Sequence, residues 1–174
     1  MNKALYYFLG FALPLLGFSL TSLASPVTYG WLESIYLQPS GKKIVAKLDT
    51  GARTSSIHAT NIVPFEKDGA RWVSFTVSGK KPKGRRILIE QPVVRETLIK
   101  EHVGESQRRY VVELDFCLAG RIYRKEFSLA NRENFHYRVI LGRTALQGSI
   151  VVDSGKKFTA DKSCTTLKNN KKPL

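Results

Sequence analysis

The four residues Asp49-Thr50-Gly51-Ala52 decide the fold of this chain, because of what lies before and after them. They follow Lys43–Leu48, a run in which apolar and polar residues alternate as in a half-buried strand. Further along the chain comes Val139-Ile140-Leu141-Gly142-Arg143, where three apolar residues precede a glycine. An aspartate on a tight turn at a strand end is a candidate reactive carboxylate. It is useful in acid–base chemistry only if a second carboxylate faces it, so the source of that second group is the central question.

Each residue of this turn has a role that follows from its size and chemistry. Two carboxyl groups that lie close together share one proton, because the first ionisation opposes the second. The ionised group can then activate a water, while the protonated group donates to the bond under attack. Gly51 lets the backbone approach a neighbour without a side chain in between. Thr50 can form a hydrogen bond to an adjacent loop, and the small Ala52 leaves the carboxylates uncrowded.

These segments resemble the retropepsin-like aspartic protease superfamily, through Leu48–Ala52 together with Val139–Arg143. More closely, the stretch Lys47–Ala59 is similar to the corresponding motif of a bacterial family labelled "ATP-dependent zinc protease". The similarity covers about residues 29–160. Three later segments also match that family's pattern: Arg109–Leu114, Leu141–Leu146 and Val151–Asp153.

The resemblance implies an all-β fold: a closed or partly open retropepsin-like β barrel with one short helix, paired as a homodimer. Asp49 would come once from each subunit, with Thr50–Ala52 as the active-site turn. A flap over the cleft would lie around residues 78–86. Gly142 and Arg143 would brace the dimer through a guanidinium–carboxylate ion pair, a geometrically exacting contact.

The function implied is an aspartic endopeptidase that hydrolyses peptide or protein substrates and uses no cofactor. Arg53 departs from viral retropepsins, which usually carry an acidic residue there. A cation beside the two carboxylates favours their ionised form and would attract acidic groups of a substrate. The alternative is a non-catalytic binding or scaffold module on the same fold, which engages anionic cell-envelope partners.

A metal-dependent hydrolase rests on the family label alone. The chain contains no His-Glu-x-x-His motif, and its histidines, His58, His102 and His136, are scattered along the sequence. Zinc requires three or four converging ligands. No phosphate-binding Gly-x-x-x-x-Gly-Lys-Ser/Thr loop is present either. We therefore predict no metal site, and we interpret His58 as a hydrogen-bonded structural residue.

Two other aspartates compete for the place of the second carboxylate. Asp153-Ser154-Gly155 repeats the Asp-Ser/Thr-Gly form, but Lys156 follows it instead of a small residue. No apolar-apolar-glycine segment follows, so we interpret Asp153 as part of a surface turn. Asp115 lies in the middle of a predicted strand and is expected to face outward. The second carboxylate is therefore expected from a second copy of the chain.

The rest of the sequence indicates one β domain. The 174 residues contain no evident repeat and form short strand patterns separated by turn residues. Only Arg143–Gln147 resembles a helix start, and Ala119-Gly120 is a plausible hairpin turn. The predicted strands outside the motifs include Arg71–Val77, Tyr110–Leu118, Arg121–Ala130, Ile150–Val152 and Lys157–Thr159.

The chain is strongly basic, with a net charge of +14. Such an excess favours anionic partners, here an anionic cell-envelope surface. The charge is concentrated in Lys80–Arg86 and in the lysine-rich C-terminal part of the chain. Neither segment carries interleaved aromatic residues, which single-strand nucleic-acid binding would require. We predict no specific nucleic-acid binding and interpret both segments as solvated.

The ends of the chain and its cysteines point to export. Residues 1–24 combine Lys3, an apolar stretch and the small residues of Ser22-Leu23-Ala24, as in a cleaved signal peptide. The alternative is an inner-membrane anchor formed by residues 4–24. Residues 25–165 would be the protease domain and 166–174 a flexible basic tail. In the periplasm Cys117 and Cys164 could form one disulfide, the alternative being two unpaired thiols.

Overall fold

The structure is a computed structural model that describes residues 25–79, 84–99, 106–161 and 164, and most of these lie in β-strands. The chain forms eleven strands and one short helix over these residues. In order they are β1 (Val27–Leu37), β2 (Lys42–Leu48), β3 (Ser55–His58), β4 (Thr60–Lys67), β5 (Ala70–Val77), β6 (Ile87–Pro92), β7 (Arg95–Ile99), β8 (Gln107–Leu118), β9 (Arg121–Ala130), β10 (Val139–Leu141), α1 (Arg143–Leu146) and β11 (Ile150–Lys157).

Six of the strands close into a barrel. Their order is β1-β2-β10-β3-β9-β8, and β8 returns to pair with β1 through Tyr36 and Leu37. Strand β11 extends this sheet beside β1, and β7 extends it beside β8. Strands β4, β5 and β6 form a separate sheet whose apolar side chains Val73, Phe75 and Val77 join the barrel core. The predicted all-β barrel with one short helix is confirmed.

The burial of each strand explains whether it could be predicted from the sequence. Strand β5 alternates between buried and half-exposed residues, as its sequence pattern predicted. Strand β4 was missed, because as an outer strand it has no buried residue and therefore no apolar alternation. The hairpin at Ala119-Gly120 was predicted, and both residues have the positive φ angles of a tight two-residue turn. A separate strand over Lys157–Thr159 was wrong, since β11 already ends at Lys157.

A buried carboxylate holds the chain just after β11 against β1. Glu33 is 1% exposed, and its Oε1 accepts hydrogen bonds from the backbone N–H of Gly30 and of Thr159, at 2.9 and 2.8 Å, and from the Thr159 hydroxyl. The backbone N–H of Ala160 donates to Oε2. Four donors compensate for the loss of water around this group. The network fixes the chain after β11 beside the end of the barrel that carries Asp49, because Leu32 pairs with Lys47.

The opposite end of the barrel carries a disulfide. Cys117 and Cys164 are bonded, 47 residues apart in sequence. Tyr36 packs against the bridge, and the backbone N–H of Gly120 donates to the Cys164 sulfur. In the chain-entropy model, a cross-link over such a loop stabilises the fold by roughly 3–4 kcal/mol.

Several sequence predictions lie outside the described residues. They are the signal peptide or anchor over 1–24, the tail over 166–174, His102 and the centre of the predicted flap, residues 80–83. Among the residues that the structure describes, no helix is long and apolar enough to cross a membrane.

Candidate active site

The backbone of Asp49 is fixed by the strand that lies between β2 and β3. Leu141 of β10 pairs with Leu48 in parallel, and its carbonyl accepts a hydrogen bond of 2.8 Å from the Asp49 N–H. On its other side β10 pairs antiparallel with β3, through Ile140 and Ser56. The loop between β2 and β3 therefore wraps around the end of β10. This interlock explains why the two distant sequence segments act together.

Gly142 and Arg143 pack against the Asp49 turn and form hydrogen bonds with it. The backbone N–H of Arg143 donates to the Ala52 carbonyl at 2.9 Å, and its Nη1 donates to the carbonyls of Thr50 and Gly51 at 3.0 and 3.1 Å. A Cβ on Gly142 would lie 2.6 Å from the backbone carbon of Thr54, so only glycine fits there. The Arg143 guanidinium thus supports the turn within one chain.

The Asp49 carboxylate lies at the surface of this turn, with 22% of the side chain exposed. Its Oδ1 accepts a hydrogen bond from the Gly51 N–H at 3.2 Å, and its Oδ2 forms an ion pair with Lys47 Nζ at 3.1 Å. No role was predicted for Lys47 from the sequence. Its place beside Asp49 was predictable, because residues two apart on a strand share one face.

A second basic side chain, Arg132 in the loop after β9, lies within electrostatic reach of Asp49. Arg132 is 8% exposed, its Nε donates to the Tyr137 carbonyl at 3.1 Å, and its guanidinium lies 4.5 Å from the Phe135 ring centre. Burial lowers the pKa of Arg132, as does the nearby Arg109, while the negative charge of Asp49 raises it. Sequence reasoning missed Arg132, because no local motif marks it and the loop alone brings it toward the turn.

Comparison with known proteins agrees with this geometry. A family model described as "Retropepsin-like aspartic endopeptidase RimB" matches residues 28–163. The chain belongs to the RimB-like family. The match spans the whole barrel, and the predicted resemblance to retropepsin-like proteins is confirmed.

The RimB-like chain is also similar to parts of larger proteins. It is 42% identical over 117 residues to a "Probable alpha-L-glutamate ligase" of Shewanella pealeana, covering 66% of this chain and 25% of the ligase. A protein with the same description from Desulfotalea psychrophila is 37% identical over 111 residues, with 63% and 24% covered. The chain therefore spans about a quarter of the length of these curated relatives.

A solved structure shares the fold of this RimB-like chain. It is the crystal structure of Lpg0085, a protein of unknown function (DUF785) from Legionella pneumophila. The two are 33% identical with a TM-score of 0.68, and the alignment covers 79% of this chain and all of the other. The barrel around Asp49 is thus the shared architecture.

Arg53, and the two aspartates that competed for the place of the second carboxylate, have other surroundings in the fold. Arg53 is exposed, and its carbonyl accepts a hydrogen bond from the Thr144 N–H. Asp115 faces outward, where it forms a two-pronged ion pair with Arg124 at 2.7 and 2.8 Å. Asp153 lies within β11 and not in a surface turn, so that prediction was wrong. The strand bulges there, because its register against β1 shifts between Gly30 and Leu32.

His58 is buried and hydrogen-bonded. Its Nδ1 accepts from the backbone N–H of Arg132 at 2.9 Å. Burial lowers the pKa of His58, and the nearby Arg138 lowers it further. Among the described residues, no three His, Cys, Asp or Glu side chains come together as metal ligands.

An apolar groove of about 450 Å³ borders the turn. It lies between α1 and β11, and Val151 on its wall is 47% exposed. Over the described residues, β11 pairs only with β1, so its outer edge is open beside this groove. The groove is lined by Thr50, Arg143, Leu146, Gln147, Ile150, Val151 and Val152.

Proposed function

We propose that two copies of this chain form an aspartic endopeptidase in which the two Asp49 carboxylates activate one water. One carboxylate takes a proton as the water oxygen attacks the scissile carbonyl carbon, and the other donates its proton to the carbonyl oxygen. The first carboxyl then gives its proton to the amide nitrogen as the C–N bond breaks, while a hydroxyl of the intermediate returns a proton to the other Asp49, so that an amine and a carboxylic acid are released. The observation that carries the proposal is the Asp49 turn, held by Leu141 and Arg143 so that its carboxylate is presented to solvent.

The second carboxylate has to come from a second chain. Among the described residues, the carboxylate of Asp49 contacts Lys47 and Gly51 and no other carboxylate. Gly51 is exposed, which leaves room for a partner turn against it. The apolar groove and the open edge of β11 lie next to the turn and offer an apolar surface for the second copy. A twofold axis near Gly51 would make the contact self-complementary.

Acidic peptides are the substrates that the charges favour. The chain carries a net charge of +14, and Arg132 lies within electrostatic reach of Asp49. The curated relatives are described as glutamate ligases, which makes glutamate-containing peptides the first class to test. Arg132 would then attract acidic groups of a substrate, a role that the sequence predicted for Arg53.

A binding module without catalysis is the second candidate. It is favoured by one observation: in a single chain both oxygens of Asp49 are already engaged, by Lys47 and by the Gly51 N–H. In that case the basic surface would hold an anionic envelope partner.

For either function we propose export to the periplasm, supported by the Cys117–Cys164 disulfide, since such bonds persist in oxidising compartments. An inner-membrane anchor over residues 4–24 remains the alternative to cleavage.

The test is cleavage of a peptide library between acidic and neutral pH by the wild type and by Asp49→Asn, with the mass in solution measured alongside. We expect cleavage of glutamate-containing peptides by a dimer, lost in Asp49→Asn, and unaffected by a chelator. Cleavage that survives in Asp49→Asn, or that a monomer carries out, would refute the shared-aspartate mechanism. Peptide binding without cleavage in both proteins would favour the binding module.

A further inference from the structure

The outer edge of β6 is open and faces a groove far from Asp49. Within the described residues β6 pairs with β5 alone, so its second edge has no partner strand. A groove of about 480 Å³ runs between this edge and the turn that joins β1 to β2. That turn lies at the opposite end of β2 from Asp49, about 20 Å away at the usual rise of a strand. The lining residues are Gln38, Pro39, Ser40 and the stretch Arg85–Gln91.

The groove combines an apolar contact with positive charge. Leu88 is 68% exposed, an unusual position for a large apolar side chain on a strand edge. Arg85 and Arg86 are exposed at one end, and Lys42 Nζ donates to the Arg85 carbonyl beside them. Burial lowers the pKa of Lys42, and the Arg85 charge lowers it further, so these cations crowd one another. Glu90 is the acidic residue of the lining.

We propose that this edge is a docking site for an extended acidic peptide segment of a protein partner, which adds to the sheet as a strand beside β6. Backbone hydrogen bonds to β6 supply affinity without sequence preference, and the flanking arginines select acidic side chains. An apolar side chain of the same segment packs on Leu88. The site is distinct from Asp49 and does not depend on catalysis. It gives a function to the described end of the basic segment Lys80–Arg86.

The probe is a fluorescein-labelled peptide, Glu-Val-Glu-Thr-Glu-Val, titrated against the full chain carrying Asp49→Asn so that it is not cleaved. Its controls are the same peptide with lysine for glutamate, and a version N-methylated at every residue, which removes the amide donors of both edges of a strand. We expect anisotropy to report binding of the acidic probe only. Equal binding of the lysine or N-methylated peptide would overturn strand addition by an acidic segment.

Variants locate the site. Reversing both charges with Arg85→Glu and Arg86→Glu is expected to weaken binding at least about tenfold, or about 1.4 kcal/mol. Leu88→Asp is expected to weaken it several-fold. The matched control is Leu98→Asp in β7, where the leucine is 60% exposed but lies outside the groove. An unchanged affinity in the arginine double variant, or an equal loss in Leu98→Asp, would overturn the assignment.

If a second copy of the chain or a nucleic acid binds at the groove beside β6, the same variants give different results. If Leu88→Asp alone converts a dimer into a monomer, the edge belongs to a second copy of the chain and the proposal is wrong. If a single-stranded oligonucleotide binds as tightly as the peptide and with the same dependence on Arg85 and Arg86, the patch is a general anion surface and the proposal is also wrong. Thermal unfolding of each variant confirms that the fold is retained.

Discussion

The chain contains two Asp-x-Gly segments in which the aspartate side chain makes nearly the same contacts. Asp49 accepts a hydrogen bond from the Gly51 N–H at 3.2 Å and pairs with Lys47 at 3.1 Å. Asp153 accepts from the Gly155 N–H at 2.9 Å and pairs with Lys156 at 3.0 Å. In each case the aspartate side chain holds the amide two residues on, as this residue type commonly does. The Asp-x-Gly sequence alone therefore does not identify a catalytic aspartate.

The two segments differ in the contacts that hold them in place. The Asp49 turn is pinned by the Leu141 carbonyl and by the guanidinium of Arg143, which come from a distant part of the chain. The backbone of Asp153 pairs with Gly30 of β1 just before a bulge in β11, and its carboxylate is held by its sequence neighbours Gly155 and Lys156. A precise carboxylate position requires support from rigid elements. This difference makes Asp49 the better candidate for chemistry.

The largest difference between the two aspartates is expected when wild-type and variant subunits are mixed. Wild-type chains are incubated with a ninefold excess of Asp49→Asn or of Asp153→Asn until subunits exchange. If each site needs Asp49 from both copies, the first mixture should lose about nine-tenths of the wild-type activity, because most wild-type chains then pair with an inactive partner. The Asp153→Asn mixture should keep its activity. Peptide cleavage measures both, and equal activity in the two mixtures would contradict a shared site.

A second contrast compares two glycines. Gly142→Ala places a Cβ 2.6 Å from the Thr54 backbone, whereas in Gly155→Ala the nearest contact is the flexible Asp153 carboxylate at 3.3 Å. We expect Gly142→Ala to lose about 1–3 kcal/mol of unfolding free energy, as overpacking does, and Gly155→Ala to lose under about 0.5 kcal/mol. Urea denaturation gives both values. Similar losses would show that the turn at Asp49 is no more tightly packed than the bulge.

The residues around these glycines also show which parts of the site could be predicted from the sequence. The Asp49 turn and Val139–Gly142 were recognisable, because packing around them demands particular residue types that motifs preserve. Lys47 could have been found from the two-residue period of a strand. Arg132 could not, because its position depends on the loop after β9 and on burial among Tyr137 and Phe135. The bulge at Asp153 depends on register between β1 and β11, which no local pattern encodes.

A third contrast removes a basic side chain that supports each segment. Arg143→Met deletes the hydrogen bonds to the Thr50 and Gly51 carbonyls, and Lys156→Met deletes the ion pair of Asp153. Because Arg143 is exposed, we expect its loss to cost about 1 kcal/mol or less in stability but to lower cleavage about tenfold through a looser turn. Lys156→Met should leave cleavage unchanged. Kinetics with a glutamate-containing peptide test this, and an equal effect of the two variants would contradict it.

The smallest effect is the pH dependence of the Asp153 segment. The hydrogen bond from Lys156 holds the pKa of Asp153 below its ordinary value of 3.8, and the Gly155 N–H lowers it further. Since the pKa is lower in the folded chain than in the unfolded one, the unfolded chain binds more protons in this range. The group therefore stabilises the fold above pH 3.8, and this contribution disappears as pH falls through the folded value.

Lys156→Gln removes the larger cause of this shift. The difference in urea midpoint between the wild type and Lys156→Gln should therefore be small but measurable near neutral pH and should vanish in strong acid. A matched Lys125→Gln variant in β9 controls for the loss of one positive charge. A difference that stays constant at every pH would mean that Lys156 acts through something other than the Asp153 carboxylate. Even then the Asp49 turn would differ in being held by a distant guanidinium, that of Arg143, at the carbonyls of Thr50 and Gly51.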